Sequence, residues 1–93
     1  MSNISSILIN ESLTGSTGSA WKRVKGNFTV SIAPGAGSTV ALQRRFGGGV
    51  TKTVKEYTAA AEEVDFEPSR DVEYRFVHTV VGAASAVILA SDV

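Results

Sequence analysis

Cysteine is absent from this sequence, which excludes disulfide bridges, zinc–thiolate sites and thiol nucleophiles. Histidine occurs once, at His78, so a multi-histidine metal site cannot be built within one chain. No run approaches the roughly 18 apolar residues of a membrane-spanning helix, and no membrane partner is expected. The opening Met1-Ser2-Asn3-Ile4 has neither a basic n-region nor an apolar h-region. The expectation is a soluble protein made in the cytoplasm.

With 93 residues the chain has room for one domain. A domain of this size buries only roughly 60% of the surface its unfolded chain exposes, so it is marginal alone. With disulfides and metal staples excluded, oligomerisation is the remaining support.

What the chain does have is strand signal. Phe28, Val30 and Ile32 alternate with Asn27, Thr29 and Ser31, the period-two pattern of a half-buried strand. After the turn cluster Ala33-Pro34-Gly35-Ala36-Gly37-Ser38, Val40, Leu42, Arg44 and Phe46 alternate with Thr39, Ala41, Gln43 and Arg45. The two runs read as a β-hairpin. Gly47-Gly48-Gly49 marks a hairpin turn needing positive φ, and an exposed strand follows from Val50 to Tyr57. Val64 and Phe66 mark a short strand ended by Pro68. Val72, Tyr74, Phe76 and His78 alternate with Glu73, Arg75, Val77 and Thr79, and Ser85 to Ala90 is a last strand whose Val87-Ile88-Leu89 run implies burial on both faces. Trp21–Val24 and Ile4–Ile9 add two more. The fold expected is all-β, a single small β-sandwich of seven to eight short antiparallel strands, immunoglobulin-like or jelly-roll-like. Asp71-x-x-Tyr74-x-Phe76 is similar to the tyrosine corner of immunoglobulin-like domains. Phe28, Val30, Ile32, Val40, Leu42, Phe66, Tyr74, Phe76 and Ile88 are the expected core.

Residues 10–20 are polar and glycine-rich, the composition of a flexible linker. The expected division is therefore an N-terminal arm and linker over residues 1–19 and a sandwich over residues 20–93. An apolar strand on such a tether can add to a neighbouring subunit's sheet, which makes Ile4, Ile7, Leu8 and Ile9 candidate assembly contacts.

Charge balances overall but not along the chain: residues 1–55 carry a net +6 and residues 56–93 a net −6. Two readings follow. The charges pair across strands within the fold, or they form a bipolar surface that docks on identical neighbours, with Arg44, Arg45, Glu62 and Glu63 as contacts.

Catalytic and binding motifs are weak. No Gly-x-Ser-x-Gly elbow accompanies His78, so a hydrogen-bonded structural histidine is the reading. No Gly-Lys-Ser/Thr follows the triple glycine, so no phosphate-binding loop forms there. Glu62, Glu63, Asp65 and Glu67 lack the central glycine of a calcium loop. Alternation puts Glu63, Asp65 and Glu67 on the solvent face, opposite Val64 and Phe66. Arg44-Arg45-Phe46 with Lys22, Arg23 and Lys25 suggests a nucleic-acid surface, but zero net charge and the acidic second half argue against it. No catalytic residue, cofactor or metal is expected.

The order Val40-x-Leu42-Gln43-Arg44-x-Phe46-x-Gly48-Gly49, Glu56-Tyr57-Thr58-Ala59, Glu67-Pro68, Tyr74-Arg75 and a final Ala-Val-Ile-Leu strand resembles small single-domain virion proteins of tailed bacteriophages, over roughly residues 27–92. Where that family often reads Asp-Gly-Gly-x-Thr-Trp, this chain has Gly47 and Lys52 in place of the Asp and Trp. The resemblance implies a structural, non-enzymatic protein of the virion, made in the host bacterial cytoplasm. On that reading the chain decorates or cements the capsid, with itself and the major capsid protein as partners, and multivalency offsets weak single contacts. The alternative is a tail, fibre or baseplate module that binds host-surface carbohydrate.

Overall fold

The computed structural model describes residues 5–92. They form eight strands: β1 (Ser5–Leu13), β2 (Lys22–Arg23), β3 (Gly26–Ala33), β4 (Thr39–Phe46), β5 (Lys52–Tyr57), β6 (Ala61–Glu67), β7 (Val72–Val80) and β8 (Ser85–Asp92). Two four-stranded antiparallel sheets stack face to face, ordered β1-β8-β3-β6 and β2-β7-β4-β5. Pairs β1–β8, β2–β7, β3–β6 and β4–β5 nest inside one another, like one long hairpin rolled up. That is the winding of a jelly roll, and it decides between the two sandwich types expected.

Only β4 and β5 are consecutive strands within one sheet, so they alone form a hairpin. Its tip is the triple glycine, with Gly48 at φ 73° and the Gly49 N–H donating to Phe46 O at 2.6 Å. The expected β3–β4 hairpin is instead an arch that crosses between sheets. Its physical reason is that both strands carry an apolar face, and Phe28, Val30 and Ile32 bury theirs against the opposite sheet that holds Val40 and Leu42. Strands paired side by side would have pointed both rows the same way.

The core comprises Ile9, Leu13, Val24, Phe28, Val30, Ile32, Val40, Leu42, Tyr57, Val72, Tyr74, Phe76, Val87 and Leu89. Seven of the nine expected core residues are among them. Phe66, 58% exposed, is not, and Ile88 lies half-buried on the outer face of β8, so that strand is buried on one face only.

β6 is inverted relative to expectation. Glu67 is buried and Glu63 half-buried on its inner side, while Val64 and Phe66 face solvent. A strand's period is two, so a different choice of face moves every side chain at once. The inner choice is stabilised by the bonds that Glu63 and Glu67 make to the opposite sheet, described below.

β1 runs four residues beyond the expected Ile9 and pairs with β8 as an edge of its own sheet, burying Ile9 and Leu13. The boundary drawn at residues 19 and 20 is therefore not a packing boundary. Nor is the linker a free tether. Gly15 O accepts from His78, the Ser19 N–H donates to Phe76 O at 2.8 Å, and Ser19 Oγ accepts from the Phe76 N–H at 2.9 Å. Ile4 lies outside the described residues.

Each of the four edges is blunted. β1 carries a bulge at Leu8 and β5 one at Val54, β2 is two residues long, and β6 turns acids inward. All are recognised ways to prevent edge-to-edge pairing.

Candidate assembly surface

The strongest polar group in the fold spans the two sheets. Arg44 on β4 donates from Nε to Glu67 Oε1 at 2.8 Å and from a terminal nitrogen to Oε2 at 3.1 Å. The Tyr74 hydroxyl donates to the same Oε1 at 2.7 Å, and the Ser69 N–H to Oε2 at 2.9 Å. Burial pushes the Glu67 carboxyl up, but the Arg44, Ser69 and Tyr74 donors outweigh it and hold the pKa down to about 2. Arg44 is raised by the Glu67 hydrogen bond, and the Tyr74 phenol is raised by burial and by Glu67. A tyrosine corner bonds to backbone upstream. Here the Tyr74 hydroxyl reaches a side chain seven residues upstream, which then holds the backbone at Ser69.

A second cross-sheet group lies further along β6. Glu63 accepts from Lys55 Nζ at 2.6 Å and from the Tyr57 hydroxyl at 2.6 Å, both on β5. Lys55 and then Tyr57 lower the Glu63 pKa, while burial and Glu63 raise that of Tyr57. A cleft of about 350 Å³ opens here above Phe28, Val30 and Leu42, and of its polar rim residues Lys55, Tyr57 and Glu63 are already bonded to each other.

His78 is 4% exposed and uses both ring nitrogens, Nδ1 to Gly15 O and Nε2 to Ser85 Oγ, each at 2.8 Å. Ser85 is fully buried and its Oγ also accepts from the Gly35 N–H at 3.0 Å. A carbonyl only accepts, so Nδ1 carries the proton and Nε2 accepts from Ser85. The contact resembles a nucleophile–base pair in distance alone: it joins three loops at one end of the sandwich and offers no surface to a substrate.

The two outer faces differ in chemistry. On the β2-β7-β4-β5 sheet, Arg45 bonds Glu73 at 2.9 Å and Arg75 bonds Gln43 at 2.9 Å. Both guanidiniums also lie over the Trp21 ring, at 4.2 and 4.7 Å from its centroid. This face is charged and satisfied within the chain.

The β1-β8-β3-β6 sheet presents the opposite. Its register sets Ile7, Ala90, Thr29 and Val64 in one row across all four strands, and Asn10, Ile88, Ser31 and Glu62 in the next. Phe66, Asn27 and Asp92 form part of a third. Ile7 is 61% and Val64 73% exposed. Among the described residues, the only charges in these rows are Glu62 and Asp92, and Asp92 already accepts the Asn27 N–H at 3.0 Å.

The expected contact residues therefore divide. Arg44, Arg45 and Glu63 are engaged within the chain, and part of the charge asymmetry is engaged with them. Among the described residues all four ion pairs, Arg23–Asp71, Arg44–Glu67, Arg45–Glu73 and Lys55–Glu63, join the basic part of the chain to the acidic part. Ile9 is core, Leu8 is half-buried at the bulge, and Ile7 and Glu62 lie on the outer face of the β1-β8-β3-β6 sheet. Phe66 and Ile88 are the members that sequence reasoning assigned to the core, and Val64 is one it set on the face opposite the solvent. Among the described residues no three His, Cys, Asp or Glu side chains converge as a metal site. Compared with protein-family models, with curated proteins and with solved structures, the chain matches none.

Proposed function

We propose that this protein is a non-enzymatic structural subunit of a tailed-bacteriophage virion, decorating or cementing the capsid as an assembly that forms through the outer face of its β1-β8-β3-β6 sheet. The observation that carries the reading is that face: Ile7, Val64, Phe66 and Ile88 are displayed there with almost no charge. A small domain that leaves such a face uncovered has a site for protein contact. Two further points support it. The reactive-looking groups, His78 with Ser85 and Glu67 with Arg44, are consumed in internal bonds. Jelly rolls also recur in viral capsids, a fold-level analogy that supports the reading.

The carbohydrate alternative needs free aromatic rings over a concave patch. Trp21 is engaged by two arginines, Phe46 lies beside the Arg44 guanidinium and Tyr57 is core, which leaves Phe66 as a single free ring, so assembly is the reading we carry. The test is incorporation. Purified virions encoding the wild-type chain should contain it in many copies by quantitative mass spectrometry. Virions encoding Val64→Lys with Ile88→Lys should contain far fewer. Absence of the wild-type chain from purified particles would end this reading.

A further inference from the structure

We infer that the partner of the outer β1-β8-β3-β6 face is a second copy of this chain, stacked face to face about a two-fold axis parallel to the strands. The inference rests on the assembly reading above and names the partner at that same surface.

Geometry narrows the choices. Edge-to-edge growth is blocked at β1, β2, β5 and β6 by bulges, shortness or inward acids. The other outer face spends its arginines on Glu73, Gln43 and Trp21. What remains is one face, four strands wide, with β1, β3, β6 and β8 seven to nine residues long. Strands about 4.8 Å apart, rising about 3.3 Å per residue, make it roughly 500 Å² in projection. Two such faces bury about 1,000 Å², the lower bound of a specific interface.

Self-complementarity selects the axis. A two-fold along the strands, lying in the interface midway between β8 and β3, keeps each transverse row at its own level and reverses its order. The row Ile7, Ala90, Thr29, Val64 then lies on Val64, Thr29, Ala90, Ile7 of the second copy. Apolar ends meet apolar ends, with small residues between them. In the next row Glu62 faces Asn10, a carboxylate opposite an amide donor, and Ile88 faces Ser31. The two Glu62 side chains stand at opposite margins, about three strand spacings or ~14 Å apart, which is beyond the screening length of about 8 Å at physiological salt. A two-fold across the strands would instead stack β6 on β6, bringing the Glu62 carboxylates to the same margin and Ile7 onto β1.

The experiment uses the whole chain. Analytical ultracentrifugation at ~100 µM should show a dimer, and Val64→Lys should weaken it by at least ~10-fold with an unchanged circular-dichroism spectrum. Because the chain has no cysteine, placement is read directly. A mixture of Ile7→Cys and Val64→Cys chains treated with a short bismaleimide should give the mixed cross-linked dimer, with far less from either variant alone. Preferential Ile7→Cys self-cross-linking would overturn the axis. A monomeric wild type with no mixed cross-link would overturn the dimer, and would leave the virion reading standing if Val64→Lys with Ile88→Lys still depletes the chain from particles. A dimer whose wild-type chain is missing from virions would sink the virion reading alone.

Discussion

Arg44 on β4 and Glu67 on β6 meet across the gap between the two sheets in a two-pronged ion pair, at 2.8 and 3.1 Å. The Glu67 side chain is 1% exposed, whereas Arg44 reaches solvent at 28%. A buried carboxylate is costly unless it is paired and fully hydrogen-bonded, and this one accepts from both Arg44 nitrogens and from two further groups, the Tyr74 hydroxyl and the Ser69 N–H. Glu67→Gln should therefore destabilise the fold by about 3 kcal/mol, the low end for breaking a buried pair. Urea unfolding at neutral pH measures it.

The same carboxylate makes acid stability directional. Its folded pKa of about 2 lies below the ordinary 4.5, so the unfolded chain binds the proton more readily. The stabilisation is present in full above pH 4.5 and is lost as pH falls from 4.5 towards 2. That difference corresponds to about 3 kcal/mol. Glu63, also lowered, acts in the same direction. Urea midpoints measured from pH 7 down to 2 should fall over this interval, and Glu67→Gln should flatten most of the decline.

Removing β1 should damage the domain itself. Ile9 and Leu13 are each 2% exposed, and losing two buried aliphatic side chains costs about 2–5 kcal/mol apiece. A chain starting at residue 14 should show a much lower thermal midpoint. An unchanged midpoint would mean that β1 contributes little to its own sandwich.

His78 should be observable as the Nδ1–H tautomer by nitrogen-15 NMR, because Gly15 O can only accept from it. His78→Phe should keep the ring volume yet leave Gly15 O and Ser85 without their partner. Each unsatisfied buried group costs about 1–3 kcal/mol. Thermal or urea unfolding of the variant reports the sum.

Much of the architecture was legible residue by residue. Alternation at Phe28–Ile32, Val40–Leu42 and Val72–His78 placed three strands and their inner faces, because a half-buried strand must repeat every two residues. The triple glycine marked the hairpin tip at Gly48, where positive φ favours a residue without Cβ. β6 defeated the same rule. Its alternation is as clear as that of β7, but Val64 and Phe66 face out, since Glu63 and Glu67 find partners inside on the opposite sheet. The candidate surface was legible only in part for that reason: Ile7 and Glu62 were expected contacts, but Phe66 and Ile88 looked like core.

The sequence by itself determined an all-β domain without disulfides or zinc–thiolate sites, and it determined where apolar and polar side chains alternate, because those follow from residue type and local period. Only the tertiary structure decided which of two faces each strand buries, that β3 and β4 arch between sheets, and that Arg23, Arg44, Arg45 and Lys55 pair with acids from the second half of the chain. Alternation leaves the sign of the face open. That sign is set by which partners the opposite sheet supplies, and for β6 they are Arg44, Tyr57 and Tyr74, brought within reach only by rolling the chain into its jelly roll.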